Sequence, residues 1–203
     1  MFDVVTFSQA DRLRNINLPN HPGVCVALSD YWLQRITENP DEGVELRLLE
    51  LDQAMPDIVR HQASYGGMRQ TYGPVEGRQR LARGVLGIHY DADKTNLIKL
   101  DAIREDPFDN FFLVMARDIG MPGTGASWSM RFSHQGKEYG HAIAGYCTLK
   151  SLTSNLHEKA YHLFDPNIGE YIANQAGVQD MFRDMLKTCP SYKGTFLIRR
   201  LGV

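Results

Sequence analysis

The sequence changes texture once, near Tyr90, and that change limits the folds open to it. From Gly23 to about Tyr90 apolar residues recur at helical spacing in VCVALSDYWLQRIT, EGVELRLLELDQAMPDIVRHQASYGG and GPVEGRQRLARGVLGIHY. Pro56 falls inside the second run, where its ring removes an amide donor, so the helix should kink or divide there. From Thr95 onward short β-branched or aromatic runs take over: TNLIKL, NFFLVMAR, SWSMRFS, HAIAGYCTL, AYHLFD and TFLIRRL, bounded by Gly, Pro, Asp and Asn turn residues. RFSHQGKEYGHAIA reads as a hairpin and GVQDMFRDMLKT as one late amphipathic helix. No linker or repeat separates the two textures, so the expected class is α+β, an N-terminal helical part packed on an antiparallel β-sheet.

Composition narrows the function classes. With 203 residues, 43% of them hydrophobic, the chain is expected to build one core, a single domain over residues 1–203. The 22 Lys and Arg against 24 Asp and Glu leave a net charge of −2, without a run of five like charges, which argues against nucleic-acid and anionic-membrane partners. No apolar window of about 18 residues exists, so no membrane-spanning segment is expected, and MFDVVTFSQADRLRN lacks the pattern of a signal peptide. Three cysteines, Cys25, Cys147 and Cys189, are too few and odd in number for a disulfide framework and suit a reducing compartment.

Three short stretches carry candidate chemistry. In NHPGVCVALSDYWLQR, Cys25 stands behind Pro22 and Gly23 at the start of a helical run, where unpaired amides and the helix dipole favour thiolate. The competing reading is a small buried core residue. In EYGHAIAGY, His141 opens an apolar strand, which is also where an ordinary polar strand-end residue sits. In YHLFDPNIGEY, Asp165 ends a strand before a Pro166 turn, a position that alone marks only a turn. Together they give the order of a thiol nucleophile, its base and the residue that orients the base.

The stretches NHPGVCVALSDYWL, GHAIAGY and HLFDPNIGEY resemble the signature blocks of the YopT-type cysteine proteases, a papain-like family of bacterial effectors. The likeness spreads from Asn20 to Tyr171. It implies a papain-like fold, with Cys25 as nucleophile, His141 as general base and then acid, and Asp165 holding His141. It also implies an oxyanion hole made by the Cys25 backbone N–H and the side-chain amide of Asn20, five positions before the nucleophile; Asn17 is the poorer fit. No cofactor and no metal is implied. The partner is a protein substrate, and the family's setting is secretion from the bacterial cytoplasm into the cytosol of a host cell. The same chemistry serves a glutamine deamidase or a peptidoglycan amidase, and a decayed binding module would keep the fold alone.

Other residues read as structural. His134, His141 and Cys147, or His157 and His162, lack the paired spacing of a zinc site. Trp32 reads as core, and Arg78, Arg80 and Arg83 as a solvated helix face. MARDIGMPGTGASW has no phosphate-loop lysine and is expected as a loop bordering the substrate groove.

Overall fold

The computed structural model describes residues 1–100, 107–153 and 156–203. The helical texture becomes α1 (Gln9–Asn15), α2 (Cys25–Glu38), α3 (Val44–Gln53), α4 (Met55–Tyr72) and α5 (Glu76–Leu86). Pro56 occupies the first turn of α4, where its missing amide costs nothing, and so divides α3 from α4. Helix α5 stops at Gly87, which takes the left-handed conformation with φ 69°.

The second half supplies β2 (Asp91–Lys99), α6 (Pro107–Asp118), β3 (Gly125–His134), β4 (Lys137–Thr153), β5 (Leu156–Asp165), β6 (Gly169–Ala173), α7 (Val178–Thr188), a 3-10 turn (Pro190–Gly194) and β7 (Thr195–Gly202). With the N-terminal β1 (Phe2–Thr6) these strands form a seven-stranded sheet in the order β1-β6-β5-β4-β3-β7-β2, every pairing antiparallel. Gln135 and Gly136, both at positive φ, form the two-residue turn of the β3–β4 hairpin between the paired His134 and Lys137. The run NFFLVMAR, expected as a strand, is instead the body of α6. Its apolar residues serve a helix as well as a strand, and Met115 and Ile119, one turn apart, both enter the core.

The sheet is covered on both faces because its central strands are apolar on both. Along β4, Ile143 and Cys147 join Trp128, Met130, Leu163 and the Phe182 and Met185 side chains of α7, while the alternate Ala144 and Tyr146 join Trp32, Leu33 and Ile36 of α2 with Leu48, Met55 and Ile58. Trp32 is fully buried, stacked on Phe164 at 5.6 Å, and donates from Nε1 to Glu170 at 2.7 Å. Among the described residues no helix is long and apolar enough to cross a membrane.

Two buried arginines tie the N-terminal helices to the sheet. Arg47 of α3 meets Glu170 of β6 with Nε and Nη2, each at 3.0 Å. Arg78 of α5 was expected on a solvated face and is buried instead. It grips Asp30 of α2 and donates to Ser129 Oγ at 3.0 Å and Ser127 Oγ at 2.6 Å on β3. Burial pushes the Asp30 carboxyl up, and the Arg78 charge together with hydrogen bonds from His61, Arg78 and Tyr90 outweighs this, holding it below the ordinary value. Arg80 does lie on the solvated face, paired with Glu76. Removing Arg78 strands a buried carboxylate, so Arg78→Met is expected to lower unfolding free energy by about 3–5 kcal/mol in a denaturant titration. A loss under about 1 kcal/mol would mean that the Tyr90 hydroxyl, 2.5 Å from Asp30, suffices for it.

Candidate active site

The start of α2 is built by its own turn. Gly23 takes φ 114°, a conformation that side chains rarely adopt, and brings the chain against Gln9, whose Oε1 would lie 3.4 Å from a Cβ there. Gln9 Oε1 accepts the Val24 N–H at 2.9 Å, and its Nε2 donates to Asn167 Oδ1 at 2.6 Å. Helix α2 then begins at Cys25 with no side-chain cap. Ala27 N–H donates to Gln62 Oε1 at 3.1 Å, while the Cys25 and Val26 N–H groups have no acceptor among the described residues. A thiol here faces open backbone donors.

The structure brings His141 and Asp165 to this point. His141, at the entry to the central stretch of β4, pairs with Met130 and packs parallel to the Tyr192 ring at 5.5 Å. Its Nε2 lies 2.9 Å from Asp165 Oδ1, which leaves Nδ1 for the thiol. Asp165 ends β5 and is fully buried. Its Oδ1 also accepts the Asn167 N–H at 2.8 Å, and its Oδ2 accepts the Tyr192 hydroxyl at 2.9 Å. Gly169, at φ 136°, closes the following turn under β1, where a Cβ would overlap the Val5 carbonyl oxygen.

These contacts set the charges. Burial pushes the Cys25 thiol up, but the hydrogen bond and charge of His141, a hydrogen bond from the Ala142 backbone and the charge of Arg78 together leave it below its ordinary value. Burial pushes His141 down, and Asp165, then Cys25, raise it to about 10. A lowered thiol beside a raised imidazole favours the thiolate–imidazolium pair over the neutral one. That pair exists above the lowered Cys25 pKa and is lost as pH rises through about 10, when His141 gives up its proton. The other thiols differ: burial pushes Cys147 up to about 11 and raises Cys189, which the Asp165 charge raises further.

Cys25 and His141 line a cleft of about 310 Å³ that Gln62, Arg69, Arg131 and Arg199 also border. Asn20 is exposed in the turn before Gly23 and is not among the residues lining that cleft. The Gly-rich turn after α6, expected to border the groove, packs on β4 instead, through Gly123 N–H to Cys147 O and Cys147 N–H to Thr124 O. Backbone pairing at Cys147, just past the last β3–β4 pair at Tyr146, holds it there. His162 sits between Thr148 Oγ1 at 3.1 Å and Glu170 Oε1 at 2.9 Å, away from the cleft, and the side chain of His157 lies outside the described residues. Three site residues had no sequence signal: Gln9, Gln62 and Tyr192. Their partners lie 15, 35 and 27 positions away, beyond the reach of any local pattern.

At about pH 6 an ordinary thiol is well under 1% thiolate, so Cys25 should be alkylated by iodoacetamide about a hundredfold faster than Cys147 or Cys189, as read by peptide mass mapping. Modification of either other cysteine first would remove Cys25 as the reactive thiol.

Neither a protein-family model nor a curated protein sequence matches the chain significantly. Among solved structures, the Pseudomonas avirulence protein AvrPphB superposes with a TM-score of 0.64 at 18% identity, over 90% of this chain and 92% of that one. The α+β arrangement of helices on an antiparallel sheet described above is the AvrPphB fold, the papain-like fold that the three sequence blocks imply.

Proposed function

We propose that the chain is a papain-like cysteine protease of the bacterial effector type, residues 1–203 acting as one catalytic domain on a protein of a host cell. The observation that carries this reading is the joining of three side chains: a thiol at an uncapped helix start, drawn to thiolate by His141, whose far nitrogen is held 2.9 Å from the buried Asp165. The AvrPphB fold and the resemblance of the blocks around Cys25, His141 and Asp165 to the YopT-type proteases support it. Under the same reading the enzyme needs no cofactor, is secreted, and works in the host cytosol.

The chemistry runs as acyl transfer to water. The Cys25 thiolate adds to the scissile carbonyl carbon, and the C=O electron pair moves onto oxygen. That oxyanion is met by the Cys25 N–H and a side-chain amide, Asn20 being the donor that the resemblance implies. Collapse expels the amine, which takes the Nδ1 proton of His141. Neutral His141 then draws a proton from water as it attacks the thioester, releasing the acid and restoring the thiolate–imidazolium pair. Asp165 transfers no proton; it keeps Nε2–H oriented and balances the imidazolium charge.

Gln62 is a second candidate for the side-chain oxyanion donor. Its Oε1 is occupied by the Ala27 N–H, so its NH2 is the free end of a side chain that borders the cleft beside Cys25.

The test begins with N-terminal profiling of host lysate treated with the protein or with Cys25→Ala. The wild type should create new N-termini that Cys25→Ala does not. An intact substrate with glutamine converted to glutamate would contradict the protease reading and indicate a deamidase, release of a peptidoglycan amide an amidase, and no turnover despite a reactive Cys25 a binding module. On a substrate so found, Asp165→Asn should cost turnover less than Cys25→Ala and less than the about 10⁴ of a serine triad, because the ion pair is already charge-separated. Wild-type activity would remove Asp165 from the site. Loss of the true oxyanion donor should cost about 10²–10³ in turnover with Cys25 alkylation nearly unchanged. That pattern in Asn20→Ala supports Asn20, and the same pattern in Gln62→Ala alone transfers the role to Gln62.

A further inference from the structure

The cleft above Cys25 has a charge that the chain as a whole lacks. The protein carries a net −2, yet the side chains that border the cleft include Arg69, Arg131 and Arg199 beside His141, and no Asp or Glu. The three arginines come from separate elements: Arg69 from the last turn of α4, Arg131 from β3 and Arg199 from β7. On the sheet they belong to one patch, since Arg199 pairs with Ser129, two residues before Arg131 and therefore on the same face. Arg131 is held by Glu138 across the hairpin. Arg69 and Arg199 have no carboxylate partner among the described residues. Arg199 is half-buried, and its guanidinium is disfavoured by burial and by the charges of Arg69 and Arg131, with Tyr65 acting in the opposite sense. Like charges gathered around a concave wall without counter-ions repel one another and cost stability. An anionic group entering the cleft would relieve that repulsion, and guanidinium forks recognise carboxylates in bidentate geometry.

Resting on the protease reading, we infer that the substrate is an acidic peptide segment, with an Asp or Glu side chain seated against Arg69 and Arg199 within about three residues, some 10 Å of extended chain, of the bond that Cys25 attacks. Tyr65 and Tyr139, also on the wall of the cleft, flank the backbone of such a segment. A phosphorylated serine or threonine offers the same anionic chemistry, and the experiment separates the two.

Two measurements test this, and the first is independent of protease activity. Cys25 is alkylated with iodoacetate, an anion, and iodoacetamide, its neutral analogue, and the ratio of the two rates is taken with iodoacetamide as internal reference. In Arg69→Gln/Arg199→Gln the ratio should fall about fivefold or more, and in the wild type it should fall similarly between low and high salt. A ratio that moves in neither series overturns the inference, and the wild-type salt series stands even if the double variant does not fold. In the second, a peptide library with unmodified and phosphoserine members is digested with the wild type and with Arg199→Glu. Asp or Glu should be enriched at one position near the cut and lose that enrichment in Arg199→Glu. Enrichment of phosphoserine alone overturns the carboxylate assignment. Cleavage with no anionic enrichment overturns the inference and leaves the protease reading intact. No cleavage overturns the protease reading and the peptide assignment with it, while the alkylation ratio still decides whether the cleft selects anions.

Discussion

The site depends on one fully buried carboxylate. Asp165 receives hydrogen bonds from His141, Asn167 and Tyr192, each between 2.8 and 2.9 Å, so both its oxygens are occupied and its position is fixed from three directions. A buried charge is tolerable only when it is satisfied in this way. Its fixed position decides which nitrogen of His141 is free for the thiol, and its charge keeps that imidazole protonated. The proton on His141 in turn lowers the Cys25 thiol against a burial penalty that would otherwise raise it. The Asp165 carboxylate is therefore the main source of the His141 charge that acts on the thiol.

The rest of the fold holds the two halves of the site in register. Cys25 arrives on a helix and His141 with Asp165 on a sheet, so a small rotation of α2 would separate them. Gln9 opposes this directly, bridging the Val24 amide beside Cys25 and the Asn167 side chain beside Asp165. Deeper in, Arg78 and Asp30 fasten α2 to α5 and β3, and Arg47, Trp32 and His162 converge on Glu170 of β6. Buried ion pairs contribute little net stability because of their desolvation cost. What they fix is orientation, and here they lie directly behind the helix that presents the thiol.

Much of this was legible in the sequence because it rests on local pattern. Helical periodicity placed α2 to α5, Pro56 marked the break, alternation and turn residues marked the hairpin, and the strong one-sided patterning of GVQDMFRDMLKT marked α7. Cys25 and Asp165 stood out because each lies next to a turn that only certain residues make, and His141 because it is a lone polar side chain at the head of an apolar stretch. What the sequence hid depends on distant partners. Arg78 looks solvated until Asp30, 48 residues earlier, turns inward to meet it. Strands β1 and β6 are short and pair chiefly with each other and with β5, so FDVVT and GEYIA carry too few residues for a period to show. NFFLVMAR satisfies both periods, and only its packing against the sheet and α7 selects the helix.

The central claim is that Cys25 and His141 share a settled ion pair, and the direct measurement is a pH titration of the protein with nitrogen-15-labelled histidine, followed by NMR alongside thiolate absorbance and compared with Cys25→Ser. The account predicts that His141 keeps its proton until pH approaches about 10 and that a thiolate lost in Cys25→Ser is already present below the ordinary thiol range. Titration of His141 near its ordinary 6.5, with Cys25 ionising only near about 8.5, would contradict it.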